Sequence, residues 1–226
     1  MDANTGGSNF LGLQRPNEYD PRFGRLLVII VLAFMASAFS GVIASTITVL
    51  LNGVLILVAF RATSLRMPMS MLYALAAVAF GAVALHIGLE AHSTGQAIPS
   101  FVQFALLAIL VLALLDAVLQ REVVDLQTIV GAISAYLLIG LAFSWLYLGI
   151  DLIDGTQFSM APEESNQYPD FSFVVLTTLG FGNQLPTAAL SARLVAAEAL
   201  TGQIFLAVFV ARLVALYRGN RVIARE

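Results

Sequence analysis

The chain has 226 residues, of which 59% are hydrophobic and 11% charged, with a formal net charge of -3. Soluble domains carry roughly 25% charged residues, so this composition excludes a soluble enzyme, a nucleic-acid-binding protein and a disordered scaffold, and it predicts a protein of the lipid bilayer. Because there is no cysteine, disulfides, thiolate metal sites and cysteine nucleophiles are excluded as well.

Long uncharged runs predict six membrane-spanning helices, each of which needs about 20 apolar residues. Residues 1–25 are polar and are predicted to form a cytoplasmic N-terminal tail. The uncharged run of residues 26–60 would be roughly 50 Å long as one helix, too long for one crossing, so it predicts two helices with a turn near Ser37 to Gly41. The other predicted spans are residues 69–89, 101–119, 126–150 and 188–217.

The basic residues predict the orientation of the chain. All eleven are arginine, and ten of them lie on one side of this six-span arrangement, with only Arg193 on the other. The positive-inside rule therefore predicts an integral plasma-membrane protein with both termini in the cytoplasm. One alternative stays open: residues 26–35 followed by Ala36-Ser37-Ala38 are also typical of a secretory signal peptide, whose cleavage would leave five spans.

The segment between the last two spans has an unusual pattern. Residues 151–169 are predicted to form an outer loop, and the apolar run that follows, residues 171–178, is too short to cross the bilayer. We predict that it enters the membrane and returns, with a short helix at residues 171–177. Non-helical backbone at membrane depth is tolerated only where it is buried or lines an aqueous pathway, which is what an ion filter requires.

Residues 178–183 have the sequence Thr-Leu-Gly-Phe-Gly-Asn. A dehydrated cation must exchange its water oxygens for protein oxygens, and a row of backbone carbonyls supplies them. Glycine accepts the positive φ that such a row requires, which accounts for Gly180 and Gly182. The segment resembles the filter signature of the tetrameric potassium-channel superfamily, and the resemblance covers residues 126–217.

This resemblance implies a pore domain at residues 120–217, built from an outer helix, a pore helix, a filter and an inner helix. A four-helix membrane domain at residues 26–119 would precede it, and a cytoplasmic tail at residues 218–226 would follow. Permeant potassium ions are implied, with no other cofactor. The implied ion-binding residues are Thr178, Leu179, Gly180, Phe181 and Gly182, with Asn183 at the outer mouth.

Three positions differ from the usual family pattern. Asn183 stands where Asp is more usual, Val174 where some members have Glu, and Phe181 where Tyr is common. These differences bear on filter inactivation and fine selectivity rather than on the existence of a pore.

The last span contains further candidate residues. By the same resemblance Gly202 is a candidate gating hinge, although close helix packing accounts for a small residue there equally well. Gln203 is a candidate cavity residue. Val210 and Val214, four residues apart, are candidates for a hydrophobic inner gate.

Ionisable residues inside the membrane are costly and mark candidate functional positions. Glu198 in the last span could brace the filter from behind, pair across a subunit boundary or bind Arg193. Asp116, near the inner end of the fourth span, is predicted to pair with one of three arginines, Arg61, Arg66 or Arg121.

The other spans contain few groups that could sense a stimulus. Residues 101–119 contain no arginine, so no voltage sensor is predicted there, and the residues after Tyr217 are too few for a soluble ligand-binding domain. His86 and Glu90 share one helical face near His92. A metal or proton site stays open there, although the spacing is not a recognised zinc pattern.

One chain supplies one quarter of a carbonyl column, so the predicted assembly is a homotetramer with cyclic symmetry. The lipid bilayer is the other predicted partner, and nucleic acid is not expected. The acids of the outer loop are predicted to form a vestibule that concentrates cations; they are Asp151, Asp154, Glu163, Glu164 and Asp170.

These features predict an all-α integral membrane protein with six transmembrane helices and one re-entrant pore helix, acting as a potassium-selective channel. A weakly selective monovalent cation channel is the main alternative. An enzyme is not expected, because Asn183 cannot be the acid that a Gly-x-Gly-Asp aspartyl protease needs, and a secondary transporter would show repeated halves. A packing protein with a decayed pore is disfavoured by the intact Thr178, Gly180 and Gly182.

Overall fold

The computed structural model describes residues 22–37, 50–51, 53–55, 77–78, 81, 94–120, 125–159 and 167–223. Five α-helices account for most of this part of the chain: α1 (Arg22–Ser37), α2 (Ala97–Leu119), α3 (Leu126–Asp154), α4 (Gln167–Leu176) and α5 (Ala189–Ile223). A 3-10 turn, Thr94–Gln96, leads into α2. The described residues contain no β-strand, so this part of the fold is all-helical.

Three of the helices are long and apolar enough to cross a membrane: α2, α3 and residues Ala189–Arg212 of α5. They coincide with the predicted fourth, fifth and sixth spans. The apolar part of α1, Phe23–Ala36, is shorter and overlaps the predicted first span, which begins at residue 26. The second and third predicted spans fall almost entirely outside the described residues, as do His86, Glu90, His92, Arg61, Arg66 and Arg121.

α3 lies at the centre of the described part and contacts each of the other four helices. It begins after Asp125, whose carboxylate accepts hydrogen bonds from the Thr128 N–H at 2.8 Å and the Thr128 hydroxyl at 2.7 Å. This cap satisfies a donor that the first helical turn leaves unpaired. The helix ends at Gly155, whose φ of 64° is the left-handed conformation that glycine adopts without strain.

The predicted end of the fifth span at residue 150 is wrong, because α3 continues to Asp154. The charge of Asp151 suggested a loop, but this residue is fully buried. Its carboxylate accepts hydrogen bonds from the Tyr168 hydroxyl at 2.5 Å and from the Gln157 N–H at 2.8 Å. A carboxylate whose oxygens are paired in this way can lie inside a fold, so a charge alone does not mark the end of a helix.

The other boundaries differ by a few residues. α1 begins at Arg22, inside the predicted N-terminal tail, because Phe23 and Leu26 are buried in the core between α1, α2 and α3. α2 begins at Ala97 rather than at residue 101, and α5 extends to Ile223 rather than to residue 217. Apolar runs locate the helices, but the backbone hydrogen bonds continue beyond them.

Candidate functional site

α4 is a ten-residue helix that contacts both α3 and α5. It begins at Gln167 rather than at the predicted residue 171, and Pro169 fits its first turn because no backbone N–H is needed there. The start of the helix packs into an aromatic cluster whose ring centroids lie 5.1 to 5.9 Å apart. This cluster consists of Tyr147, Phe158, Tyr168 and Phe171.

The C-terminal end of α4 leads directly into residues 178–183. The N–H groups of Thr178 and Leu179 donate to the carbonyls of Val175 and Val174 at 2.9 and 3.0 Å, the paired bonds of a Schellman motif. Thr178 takes the left-handed position of this motif, with a φ of 57°. Glycine is usual there, and a β-branched residue in this conformation is a strained outlier. Such strain is concentrated at functional sites.

Positive φ recurs at every second residue of this segment. Gly180 has a φ of 62° and Gly182 a φ of 75°, whereas Leu179 and Phe181 do not have positive φ. Backbone that alternates between left- and right-handed conformations turns successive N–H groups to one side and the carbonyls to the other. Among the described residues, no hydrogen bond ends on a carbonyl oxygen of residues 178–182. These carbonyl oxygens are therefore unpaired within the described part of the single chain.

The outer end of the same segment is tied to the loop after α3. Residues 157–159 and 185–187 form a short antiparallel bridge, with two backbone hydrogen bonds that are both 2.9 Å long. The buried Ser191 hydroxyl, in the first turn of α5, donates to the Gln157 carbonyl at 2.6 Å. Residues 178–184 are thus held by α4 at one end and by this bridge at the other.

A cavity of about 670 Å³ lies between α4 and residues 180–186. Its lining includes Asp170, Val174 and Asn183. Val174 brings no carboxylate into this space. Asp170 is exposed, and partial desolvation raises the pKa of its carboxyl group. Gln184 donates a side-chain hydrogen bond to Gln167 beside the cavity.

Glu198 is fully buried where α3, α4 and α5 meet. Its carboxyl oxygens contact two hydroxyls, that of Tyr147 in α3 and that of Ser172 in α4, the latter at 2.5 Å. Arg193 is exposed, and the described part of the chain holds no ion pair between it and Glu198. Of the three alternatives, the contact with Ser172 corresponds to bracing from behind, because α4 carries residues 178–183.

Gly202 lies against the last residue of α4. A Cβ at this position would overlap the carbonyl oxygen of Leu176, which also accepts a hydrogen bond from the Tyr136 hydroxyl at 3.2 Å. Close packing therefore accounts for this glycine. The hinge remains a prediction.

Gln203 lies next to the inner end of the segment, where its Nε2 donates to the Thr178 hydroxyl at 3.2 Å. Val210 and Val214 follow at spacings that place all three side chains on one face of α5, and all three are exposed. The valines lie roughly 10 and 16 Å further along the helix at about 1.5 Å per residue. One exposed face of α5 thus extends from Gln203, which contacts Thr178, past Val210 and Val214.

The prediction of an outer vestibule is wrong for Asp151, which is buried. Asp154 and Asp170 are exposed, whereas Glu163 and Glu164 lie outside the described residues. Asp116 accepts a hydrogen bond from Gln120 at 2.7 Å. Within the described ranges, no group of three or more His, Asp or Glu side chains could hold a metal ion.

The sequence analysis did not identify Tyr147 or Ser172 as parts of the site. Tyr147 and Ser172 lie in apolar runs about 50 and 26 residues before Glu198, and only helix packing brings them together. The sequence carried no specific signal for them, because α3 holds other hydroxyl side chains besides that of Tyr147, among them Ser134 and Ser144.

Comparison with known proteins found no match. No family model, curated protein or solved structure matches the chain. The candidate function therefore depends on the geometry of residues 178–183 and of the helices that hold them.

Proposed function

We propose that the protein is a potassium-selective channel in which four copies of the chain place residues 178–182 around a central pore. The observation that carries this proposal is the positive φ at Thr178, Gly180 and Gly182, together with the unpaired carbonyls of the segment. Four such rows facing one axis would replace the hydration shell of a K⁺ ion and let it pass down its gradient.

The elements around the segment support the proposal. α4 lies between two helices that are long and apolar enough to cross a membrane, and its C-terminal end, which carries partial negative charge, leads into residues 178–183. In a bilayer, non-helical backbone must be buried in protein or line a water-filled path. Residues 177–183 are exposed in the single chain, as lining a path between copies would require.

α5 would line the inner part of the pore. Only 11% of the apolar window in Ala189–Arg212 is buried within the chain, which leaves a large surface for lipid and for neighbouring copies. Gln203 would face the cavity below Thr178, and Val210 and Val214 would narrow its cytoplasmic end. The arginine distribution supports six spans with both termini in the cytoplasm.

The test is the reversal potential in planar bilayers with K⁺ on one side and Na⁺ on the other, for wild type, Gly180→Ala and Gly155→Ala. The two glycines have φ values of 62° and 64°, and neither has an atom within 4 Å of an added Cβ. Both substitutions therefore impose a similar backbone strain of about 1–2 kcal/mol, but only Gly180 would contribute a carbonyl to the pore.

We expect wild type and Gly155→Ala to reverse near the K⁺ equilibrium potential and Gly180→Ala to lose this selectivity. Retained selectivity in Gly180→Ala would contradict the proposed filter. A wild-type reversal near zero would favour the weakly selective monovalent cation channel. No current from a tetrameric protein would favour a scaffold or a channel that is closed under these conditions.

A further inference from the structure

The contacts of Ser172 bear on the protonation of Glu198. Ser172 Oγ lies 2.5 Å from Glu198 Oε1 and 2.7 Å from the carbonyl oxygen of Gly140 in α3. If Glu198 is ionised, both of these oxygens are acceptors only. A serine hydroxyl has one hydrogen to donate, so one of the two short contacts would then join two oxygens with no hydrogen between them.

A proton on Glu198 removes this conflict. If Oε1 carries the hydrogen, Glu198 donates to Ser172, Ser172 donates to Gly140, and Tyr147 donates to Oε2. Each of the three contacts then contains one hydrogen. Both carboxyl oxygens are satisfied, as buried polar atoms in native proteins generally are.

The groups around Glu198 favour the same state. From α3, Tyr147 contacts it and Tyr136 lies within electrostatic range, and from α4 it is contacted by Ser172. Arg193, five residues earlier on α5, is exposed. In the described part of the chain these groups supply no compensating positive charge, and a fully buried carboxylate without a cationic partner is costly.

We infer that Glu198 is held in the folded protein as a neutral carboxylic acid, whose proton joins α5 to α4 through Ser172 and, through Gly140, to α3. Glu198 and Ser172 are then positioning residues for α4 and for residues 178–183, which follow it. This inference concerns the proton on one buried side chain, so it holds whether or not the protein conducts potassium.

Asp151, the other fully buried acid of the described chain, provides a contrast. It accepts from the Tyr168 hydroxyl at 2.5 Å and from the Gln157 N–H at 2.8 Å. Each donor brings its own hydrogen, and neither carboxylate oxygen needs a proton. The count of donors and acceptors therefore calls for an added hydrogen at Glu198 and for none at Asp151.

The first test is infrared difference spectroscopy of the full-length protein in detergent at neutral pH, comparing wild type with Glu198→Gln. A protonated carboxylic acid has a C=O stretching band that is separate from the carboxylate bands and shifts in D₂O. We expect the substitution to remove a protonated-acid band and to leave the carboxylate bands unchanged. Loss of carboxylate intensity instead would overturn the inference.

The second test is the melting temperature as a function of pH. The amide of Glu198→Gln can donate to Ser172 and accept from Tyr147 as the neutral acid does. This variant should therefore melt like wild type below about pH 4, where the unfolded Glu198 is protonated too, and at least as high as wild type at neutral pH, where wild type must take up a proton to fold. Wild type should lose stability as the pH rises, because its unfolded state binds fewer protons than its folded state. Glu198→Gln should lack this component of the pH dependence.

Asp151→Asn is the matched control. Its neutral amide would lose the charge-assisted character of the hydrogen bonds to Tyr168 and Gln157, so its melting temperature should fall. A Glu198→Gln protein that does not fold, or that melts as low as Asp151→Asn, would overturn the inference, since a neutral isostere is tolerated where the native acid is neutral.

Discussion

Gly202 lies in the middle of α5, against the last carbonyl of α4. The oxygen that an added Cβ would overlap belongs to the backbone of Leu176 and is held by the Tyr136 hydroxyl. Backbone at the end of a packed helix cannot move aside as the end of a flexible side chain can. The positive-φ glycines, such as Gly180, are explained differently, because there the chain conformation and not the available space requires glycine.

We therefore expect Gly202→Ala to lower the free energy of unfolding by about 1–3 kcal/mol through overpacking. Thermal unfolding in detergent, followed by circular dichroism, measures this. Gly24→Ala is the control, because Gly24 is also helical but has no atom within 4 Å of an added Cβ. That substitution should be neutral or stabilise by up to about 1 kcal/mol. If Gly202→Ala is as stable as wild type, close packing does not account for this glycine.

At the scale of elements, α3 positions the candidate site. α4 has ten residues, and isolated helices shorter than about 12–15 residues are marginal in water. Its placement depends on α3, which supplies Tyr147 to the aromatic cluster and the Gly140 carbonyl next to Ser172. Whatever stabilises α3 therefore also stabilises the support of residues 178–183.

The start of α3 offers a direct test. Asp125→Ala should lower the free energy of unfolding by about 1 kcal/mol, because the cap on the Thr128 N–H is lost. Asp125→Asn should retain most of this stability, since Asn caps helices as well as Asp does. Thermal unfolding of both variants distinguishes them. An equal loss of unfolding free energy in the two variants would show that Asp125 stabilises the fold through its charge and not through its helix cap.

At the scale of the whole molecule, the single chain leaves much apolar surface uncovered. Residues of the candidate filter are exposed, with Leu179 at 64% and Phe181 at 70%. Most of the apolar window of α5 is also exposed. Lipid can cover the outside of α5, but a glycine-rich segment with free carbonyls needs protein or water around it. Neighbouring copies of the chain would surround this segment with protein, and the pore between the copies would supply water.

The purified protein should have a polypeptide mass about four times the 24.1 kDa of one chain, measured by native mass spectrometry from detergent. A cyclic tetramer is the assembly in which one row of carbonyls per chain closes a filter. The mass of one or two chains would contradict the proposed pore.

Cross-linking locates the contact between copies. The chain has no cysteine, so Asn183→Cys introduces a single thiol at the proposed outer mouth. Oxidation should link copies through this position, where four chains converge. Val28→Cys is the control, because Val28 is similarly exposed, at 57%, but lies on α1. Equal cross-linking at both positions would indicate random collision.

Local pattern predicted the features that depend on a few neighbouring residues. Hydropathy located α2, α3 and the apolar part of α5, because a spanning helix satisfies its own backbone and needs only apolar side chains. The short run at residues 171–178 predicted a short helix there, and α4 overlaps it. The glycines at 180 and 182 predicted positive φ, which is confirmed. Six spans and potassium selectivity remain predictions.

Features that depend on distant residues were not predictable in the same way. The start of α4 at Gln167 reflects aromatic packing with Tyr147 and Phe158. Asp151 was assigned to a loop because its charge is visible in the sequence and its donors, Tyr168 and Gln157, are not recognisable as such. For Glu198 three roles were open, and the contact with Ser172 comes from the packing of three helices.

The sequence by itself determined the membrane character of the chain, the position of three apolar helices and the Thr-Leu-Gly-Phe-Gly-Asn segment between the last two, since these follow from composition and from the conformational freedom of glycine. Only the tertiary structure decided that Thr178 shares the positive φ of Gly180 and Gly182, that Gly202 packs on Leu176, and that Glu198 meets Ser172 and Tyr147. The physical reason is that such contacts join residues far apart in the chain, and they exist only once α3, α4 and α5 pack together.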